Sequence, residues 1–178
     1  MEMSRAEFRE MFESHREPVF RFLWRLSGNP HDAEDRLQET FATFWRKRSQ
    51  YRGDGSLLAY LRKIAYRTYL NSRARKAAKE PPLPLSAAPE KGVPGREAEV
   101  DERDAREFLR DRVKEALRGL PEGPREAFLM FRFEEMSVAE VAAVTESPVK
   151  TVESRLRRAH QLLARRLERY REQLIPRR

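Results

Sequence analysis

Donor-rich side chains recur on one side of residues 150–161, and their spacing favours contact with a polyanion. At about 100° per residue they share one face of a helix. They are Lys150, Ser154, Arg157, Arg158 and Gln161. Such groups donate to phosphate oxygens and to the acceptor edges of guanine or adenine in a major groove. Residues 149–178 carry ten Lys or Arg against three Glu, so we expect a nucleic-acid surface here.

The residues around this face predict a helix-turn-helix. Ser137 and Glu140 form an S-x-x-E capping box that starts a short helix, which should end near Thr145. Ser147 as N-cap and Pro148 as the first helical residue predict the start of a second helix. Its expected buried stripe comprises Val149, Val152, Leu156, Ala159, Leu163, Leu167, Tyr170 and Leu174. The alternative interpretation is an ordinary bundle helix with a solvated, charged outer face.

Composition narrows the remaining function classes. The 178 residues carry a net charge of +8 and no cysteine, which favours a polyanionic partner and excludes disulfides and thiolate sites. The three histidines are far apart, and neither a metal-ligand spacing nor a Gly-rich phosphate loop occurs. We expect no catalytic residue, no metal site and no cofactor. Without a long apolar run or a signal-peptide core, we expect a cytoplasmic protein with no membrane insertion.

The first half predicts two helices separated by a glycine-proline stop. Ser4 and Glu7 cap the first helix, Pro18 should interrupt or kink it, and Gly28 should end it. The second helix should begin at Asp32 and bury Ala33, Leu37, Phe41, Phe44 and Trp45. Three polar side chains then point outward: Asp35, Gln38 and Glu39. This acidic surface is either ordinarily solvated or a docking surface for a protein partner.

A third helix should run from Ser56 to about Lys79, after a turn at residues 51–55. Basic residues alternate there with Tyr60, Tyr66 and Tyr69. That mixture suits single-stranded nucleic acid, because bases stack on rings while cations follow the backbone. A surface helix whose tyrosines only pad the core fits the same stretch equally well.

Residues 80–100 contain five prolines and two glycines without periodicity and predict a flexible linker. It separates two expected domains, residues 1–79 and 101–178. In the second, a helix should end at Gly119, and another should run from Arg125 to about Phe133. The latter should bury Ala127, Phe128, Met130 and Phe131. The predicted fold class is all-α: two small helical bundles joined by a Pro-rich linker.

Three segments together resemble the extracytoplasmic-function (ECF) group of bacterial sigma factors in the sigma-70 family. The first reads DAEDRLQETFATFW and the second YRGDGSLLAYLRKIAYRTYLNSRAR. The third reads LPEGPREAFLMFRFEEMSVAEVAAVTESPVKTVESRLRRA. The resemblance covers nearly the whole chain in the family's order. It implies that the first domain corresponds to sigma region 2 and the second to region 4.

This resemblance also implies roles for individual residues. Those expected to contact core RNA polymerase, at its beta-prime coiled coil, are Asp35, Gln38 and Glu39. Those expected at the melted minus-10 element are Tyr51, Arg52, Tyr60, Arg62, Tyr66 and Arg67. Those expected at the minus-35 duplex are Lys150, Thr151, Glu153, Ser154, Arg155, Arg157 and Arg158. The further partners that it implies are promoter DNA, the polymerase beta flap and an anti-sigma factor.

Several positions depart from the family pattern. Arg36 stands where the family usually has Leu, and Lys150 replaces a Gly in the turn. Glu153 replaces a frequent Lys or Arg, and its carboxylate can accept from the amino group of cytosine. Two other functions remain open at this point. One is a dimeric helix-turn-helix regulator, and the other is a sigma mimic that sequesters an anti-sigma factor.

Overall fold

The computed structural model describes residues 4–51, 53, 55–79 and 102–170, and the secondary structure among them is entirely helical. The helices are α1 (Arg5–Ser27), α2 (Pro30–Lys47), α3 (Leu57–Lys79), α4 (Glu102–Arg118), α5 (Glu122–Phe133), α6 (Val138–Thr145) and α7 (Val149–Leu167). Short 3₁₀ turns follow α2 at Arg48–Gln50 and α7 at Glu168–Tyr170. The all-α prediction is confirmed. The predicted linker 80–100, Arg52 and Leu174 lie outside the described residues.

Helix α1 is one continuous helix, and the predicted interruption at Pro18 is wrong. The Ser4 capping box starts it, and Gly28 ends it in the left-handed region with φ 70°, a conformation that glycine adopts without a Cβ penalty. Proline inside a helix costs about 3 kcal/mol or more. Packing of the flanking Val19 and Phe22, which are at most 1% exposed, offsets that cost.

Helix α2 begins at Pro30, two residues before the predicted start at Asp32. Asn29 is the N-cap, because its side-chain oxygen accepts hydrogen bonds from the backbone N–H of His31 at 2.9 Å and of Asp32 at 3.3 Å. Proline suits the first helical position, where its missing N–H is not needed. An Asn-Pro pair therefore supplied the start signal that the acidic residue was expected to give.

The first half packs α1, α2 and α3 around an aromatic centre at Phe44. Its ring is fully buried and lies 6.4 Å from Phe8, 6.2 Å from Tyr51 and 6.1 Å from Tyr60, measured between ring centroids. Tyr51 and Tyr60 are also 5.1 Å apart. Two tyrosines of the expected minus-10 set, Tyr51 and Tyr60, are therefore held in place by the core of this bundle.

The second half packs α4, α5 and α6 against α7, with two differences from the predicted burial. The predicted stripe of α7 is confirmed at Val152, Leu156, Ala159 and Leu163, all buried. Val149, however, is 47% exposed at the first turn of α7. Helix α5 begins at Glu122 rather than at Arg125. Because the inward face of α5 includes Leu129, Phe131 points outward and is 39% exposed.

The two halves pack against each other, an arrangement that the sequence left open. Helix α6 lies on α3, and α5 lies on α1. One buried apolar cluster runs through both halves, since it joins Leu61 and Tyr66 of the first with Met130, Val141 and Val144 of the second. Burial of this apolar surface stabilises the contact between the halves.

Candidate nucleic-acid interface

The predicted helix-turn-helix is present at residues 138–167, and its first helix has the expected cap. Ser137 Oγ accepts from the Glu140 N–H at 3.2 Å, and Glu140 Oε2 accepts from the Ser137 N–H at 2.8 Å. These hydrogen bonds from Ser137 lower the pKa of Glu140, because they favour its charged form. The two reciprocal hydrogen bonds of the S-x-x-E box therefore fix the first turn of α6.

The turn between α6 and α7 has three residues, Glu146 to Pro148. Glu146 caps α6 in the left-handed region with φ 51°, where Gly or Asn is usual. The predicted N-cap role of Ser147 is wrong, since α7 begins at Val149 and Pro148 occupies the cap position without a side-chain hydrogen bond. Ser147 Oγ instead accepts from Arg155 Nη1 at 3.2 Å. Its hydroxyl therefore braces the turn against α7.

The outward face of α7 carries most of the minus-35 residues that the resemblance implies. The exposed ones are Lys150, Glu153, Ser154, Arg157 and Arg158, with Gln161 beside them. They lie opposite Val152 and Leu156, which are at most 6% exposed. No hydrogen bond or ion pair within the described part of the chain involves Arg157 or Arg158. Their guanidinium groups are therefore available to an external acceptor.

Arg155 and Thr151 differ from the other minus-35 candidates because they are half-buried. Arg155 bonds to Ser147 and also packs over Gly123, where an added Cβ would lie 3.1 Å from Arg155 Nε. A side chain at position 123 would therefore push Arg155 away. In this arrangement Arg155 ties α7 to α5 and to the turn rather than facing outward.

The cationic minus-10 candidates on α3 are engaged by the second half. Arg62 Nη2 lies 2.6 Å from Glu134 Oε2, and Arg67 Nε lies 3.2 Å from Glu146 Oε2. Lys63, the neighbour of Arg62, lies 2.9 Å from Glu146 Oε1. Lys63 and then Arg67 lower the pKa of Glu146 by hydrogen bonding to its carboxylate. The cations expected to follow a DNA strand thus hold carboxylates of this chain.

Tyr66 is buried, so its ring is not available for base stacking in this arrangement. The side chain is 5% exposed, and its hydroxyl donates to Glu126 Oε2 at 2.7 Å. Burial first, and then the negative charge of Glu126, raise the pKa of Tyr66 above its ordinary value. Tyr69 is also buried, which fits the alternative in which tyrosines pad the core. Tyr51 and Tyr60 remain half-exposed.

The acidic partners that the second half supplies to α3 were not singled out in the sequence. They are Glu122, Glu126, Glu134 and Glu146, all in the second half. Among these glutamates, only Glu126 had a sequence position that indicated burial. It precedes Ala127 and lies four residues before Met130, on the apolar face of α5. A carboxylate on a buried face requires a charged or hydrogen-bonding partner. Here the partners are Tyr66 and Arg73, and the latter lies 3.2 Å away.

The acidic surface of α2 has the predicted orientation. Asp35 and Gln38 are exposed, whereas Glu39 is half-buried, with Arg75 of α3 4.0 Å away. Arg36, which departs from the family pattern, is folded inward. It donates to Ser72 Oγ and lies 3.9 Å from Asp32. The guanidinium thus joins α2 to α3, so this substitution for Leu has a structural role.

A shallow groove of about 650 Å³ adjoins Gln38, between α1 and α2. Phe8, Phe12, Phe41 and Trp45 form its apolar walls.

Among the described residues, no group of acidic or histidine side chains is arranged to hold a metal ion. None of the helices that the structure describes is long and apolar enough to cross a bilayer.

Comparison with known proteins assigns both halves. Residues 11–79 match the family model for Sigma-70 region 2, and residues 110–163 match that for Sigma-70, region 4. The RNA polymerase sigma-H factor of Pseudomonas aeruginosa is 28% identical over 84% of this chain and 80% of its own. The ECF RNA polymerase sigma factor SigE of Mycolicibacterium smegmatis is 31% identical over 86% of this chain, which spans 59% of that relative.

Solved structures show the same fold. The sigma factor RpoE of Bartonella quintana, in complex with the anti-sigma factor NepR, gives a TM-score of 0.62 at 22% identity, covering 91% of this chain and 97% of that one. CnrH, in complex with the cytosolic domain of CnrY, gives 0.64 at 23% identity, covering 93% of this chain and 90% of its own. The two family models, in the family's order, lead to one assignment: this chain belongs to the sigma-70 family, in its ECF group.

Proposed function

We propose that this protein binds core RNA polymerase and directs it to promoters by contacting both promoter elements. Helix α2 docks on the polymerase through Asp35, Gln38 and Glu39. Helix α3 and the loop before it hold the opened minus-10 strand, and α7 reads the minus-35 duplex. The observation that carries this proposal is the capped helix-turn-helix with a free cationic face on α7. That is the docking geometry of a DNA reader.

The remaining parts of the proposal follow from this role. The polymerase performs the chemistry, so the protein needs no catalytic residue and no cofactor of its own, and it works in the cytoplasm. Residues 80–100 connect the two DNA-reading halves. An anti-sigma factor is a further proposed partner, because a fold relative was solved in complex with one.

Run-off transcription with purified core polymerase tests this function. We expect promoter-dependent transcripts only when the protein is added. A two-fold-symmetric footprint by the protein alone would support a dimeric regulator instead. Absence of both activities, together with tight binding to an anti-sigma domain, would support a sigma mimic. Either of these last results would contradict the proposal.

Replacing Arg158 with alanine should weaken minus-35 recognition. A bidentate arginine contact to a base is worth about 1–3 kcal/mol, so holoenzyme affinity for a minus-35 duplex should fall roughly 5- to 150-fold. Fluorescence anisotropy across a salt series measures this change. Arg132→Ala is the matched control, because Arg132 is also exposed but lies on α5. Equal affinities for the two variants would contradict the assignment of Arg158.

Replacing Glu153 with arginine should change which minus-35 sequence is preferred. The carboxylate can accept from cytosine, whereas a guanidinium donates to guanine. We expect enrichment at one base position to move from cytosine towards guanine when holoenzyme selects from a randomised minus-35 library. Identical sequence profiles for the variant and the wild-type protein would refute a base-reading role for Glu153.

A further inference from the structure

A small polar cavity lies where the end of α1, the helices α2 and α3, and the first turn of α5 meet. Its volume is about 210 Å³, several times the roughly 30 Å³ that one water molecule occupies in the liquid. Four cationic side chains line it: Arg36, Arg73, Lys76 and Arg125. Asp32 is the one carboxylate among the described residues of its wall. This polar cavity therefore carries an excess of positive charge.

Two of these cations already have acidic partners in the chain. Lys76 Nζ lies 2.6 Å from Asp32 Oδ2, and this hydrogen bond lowers the pKa of Asp32. Arg73 pairs with Glu122 and, at 3.2 Å, with Glu126. The pairs use the carboxylate of the wall and two carboxylates of α5. The other two cations have no carboxylate within hydrogen-bonding distance among the described residues.

Arg125 has an unsatisfied guanidinium group. It makes no hydrogen bond or ion pair with any residue that the structure describes, and its Nε is buried without an acceptor. A buried donor without a partner costs free energy, and the cost is larger for a charged group. Arg125 therefore needs an acceptor, and the polar cavity that it lines has room for one.

Arg36 is a second cation with unused N–H donors. Its side chain is 11% exposed. A guanidinium carries several N–H donors, but within the described residues Arg36 donates only to Ser72 Oγ, and Asp32 is 3.9 Å away. Ser72 is 7% exposed, and its hydroxyl donates to no residue that the structure describes. The proton of this hydroxyl is therefore also available to an acceptor in the polar cavity.

The chemistry of these donors indicates one class of ligand. Guanidinium groups bind the oxygens of carboxylates and phosphates in pairs. The donors come from three helices, with Arg36 on α2, Ser72 on α3 and Arg125 on α5. A tetrahedral phosphate presents oxygens in several directions and can accept from all three, whereas the two oxygens of a carboxylate lie in one plane. Water molecules also fit this volume, but they do not compensate the positive charge.

We propose that the polar cavity binds the phosphate group of a small free anion, either inorganic phosphate or a phosphomonoester. Arg36 and Arg125 hold its oxygens, the Ser72 hydroxyl donates to it, and the half-exposed Lys76 adds positive charge at the entrance. The site depends on Arg36, which stands where the family usually has Leu, so it is a property of this sequence. This inference goes beyond the proposed function, because it requires neither polymerase nor promoter DNA.

Calorimetric titration of the full chain with sodium phosphate, at constant ionic strength, tests the site. We expect saturable binding of one ion per chain. Arg125→Gln and Arg36→Leu should each weaken it by about tenfold or more, because each removes charge-assisted hydrogen bonds to the anion. Arg36→Leu introduces the residue that is usual in the family, so it should fold, and it decides the question if Arg125→Gln does not.

Arg118→Gln is the matched control. Arg118 is exposed on α4 and does not line the polar cavity, so loss of its charge should leave the affinity for phosphate at the wild-type value. Bound phosphate also stabilises the folded state by mass action. The melting temperature of the wild-type protein and of this control should therefore rise with phosphate, and that of the two cavity variants should rise less. A general salt effect would raise all of them equally.

Titration with glycerol 3-phosphate identifies the source of the phosphate group. Tighter binding of this ester than of inorganic phosphate assigns the site to a phosphorylated metabolite, and the reverse assigns it to the free ion. Absence of saturable binding of both compounds, or equal affinity in the wild-type protein and the two cavity variants, would overturn the proposal. A single-stranded oligonucleotide that binds through these arginines, in a protein that binds neither compound, would place them in the DNA surface instead.

Discussion

Replacing Phe44 with alanine should lower the free energy of unfolding by about 3–5 kcal/mol, the usual cost of truncating a buried phenylalanine. The ring is fully buried at the centre of the first bundle, with Phe8, Tyr51 and Tyr60 around it. Truncation leaves a cavity that these three rings cannot fill together. Urea denaturation followed by circular dichroism measures the loss.

Phe131→Ala is the matched control for Phe44→Ala. Its ring is 39% exposed on α5, so the same chemical change should alter stability by less than about 1 kcal/mol. Because Phe44 supports Tyr51 and Tyr60, its truncation should also weaken minus-10 strand binding at temperatures where the variant remains folded. Equal losses of stability for the two variants would contradict the assigned core.

The double substitution Asp35→Arg with Gln38→Ala should abolish co-elution with core polymerase. It reverses one charge and removes one amide from the proposed docking surface. Removing one partner of an interfacial hydrogen-bonded charge costs about 2–5 kcal/mol, and like charges brought together cost several more. A total above about 4 kcal/mol weakens binding by about a thousandfold. Size-exclusion chromatography at micromolar concentration then shows free protein.

The fold should not change in this variant. Both side chains are exposed, and neither makes a hydrogen bond or ion pair within the ranges that the structure describes. Asp111→Arg with Gln50→Ala makes the same chemical changes at exposed positions on α4 and after α2, and it should still co-elute. Retained co-elution of the docking variant would remove the assignment of Asp35 and Gln38.

Local signals predicted most of the helices, because they depend on residues three or four positions apart. The capping boxes at Ser4 and Ser137 and the stop at Gly28 are present. The same reasoning failed where a side chain had a more distant partner. Ser147 was expected to cap α7, but its hydroxyl bonds to Arg155, eight residues away. Phe131 was likewise predicted to be buried because it is hydrophobic, but hydrophobicity alone does not show which face of α5 the neighbouring helices cover.

The contacts of Glu134 and Glu146 with α3 could not be predicted from the local sequence pattern. Glu134 and Glu146 sit between helices, where charged residues are usually solvated, and their partners lie 72 and 79 positions away in the chain. Such pairs depend on how the two halves dock, which the sequence does not specify locally. Only the three-dimensional structure shows that the side chains of Glu126 and Glu134 are buried against the first half.

Glu146, which ends α6 in the left-handed region, affects stability in two opposite ways. A non-glycine residue there carries a backbone penalty of roughly 1–2 kcal/mol, and glycine would remove it. Glu146 retains the penalty and contributes a carboxylate that holds Lys63 and Arg67. A glycine at position 146 would therefore stabilise the turn between α6 and α7 and would remove the carboxylate that joins this turn to α3.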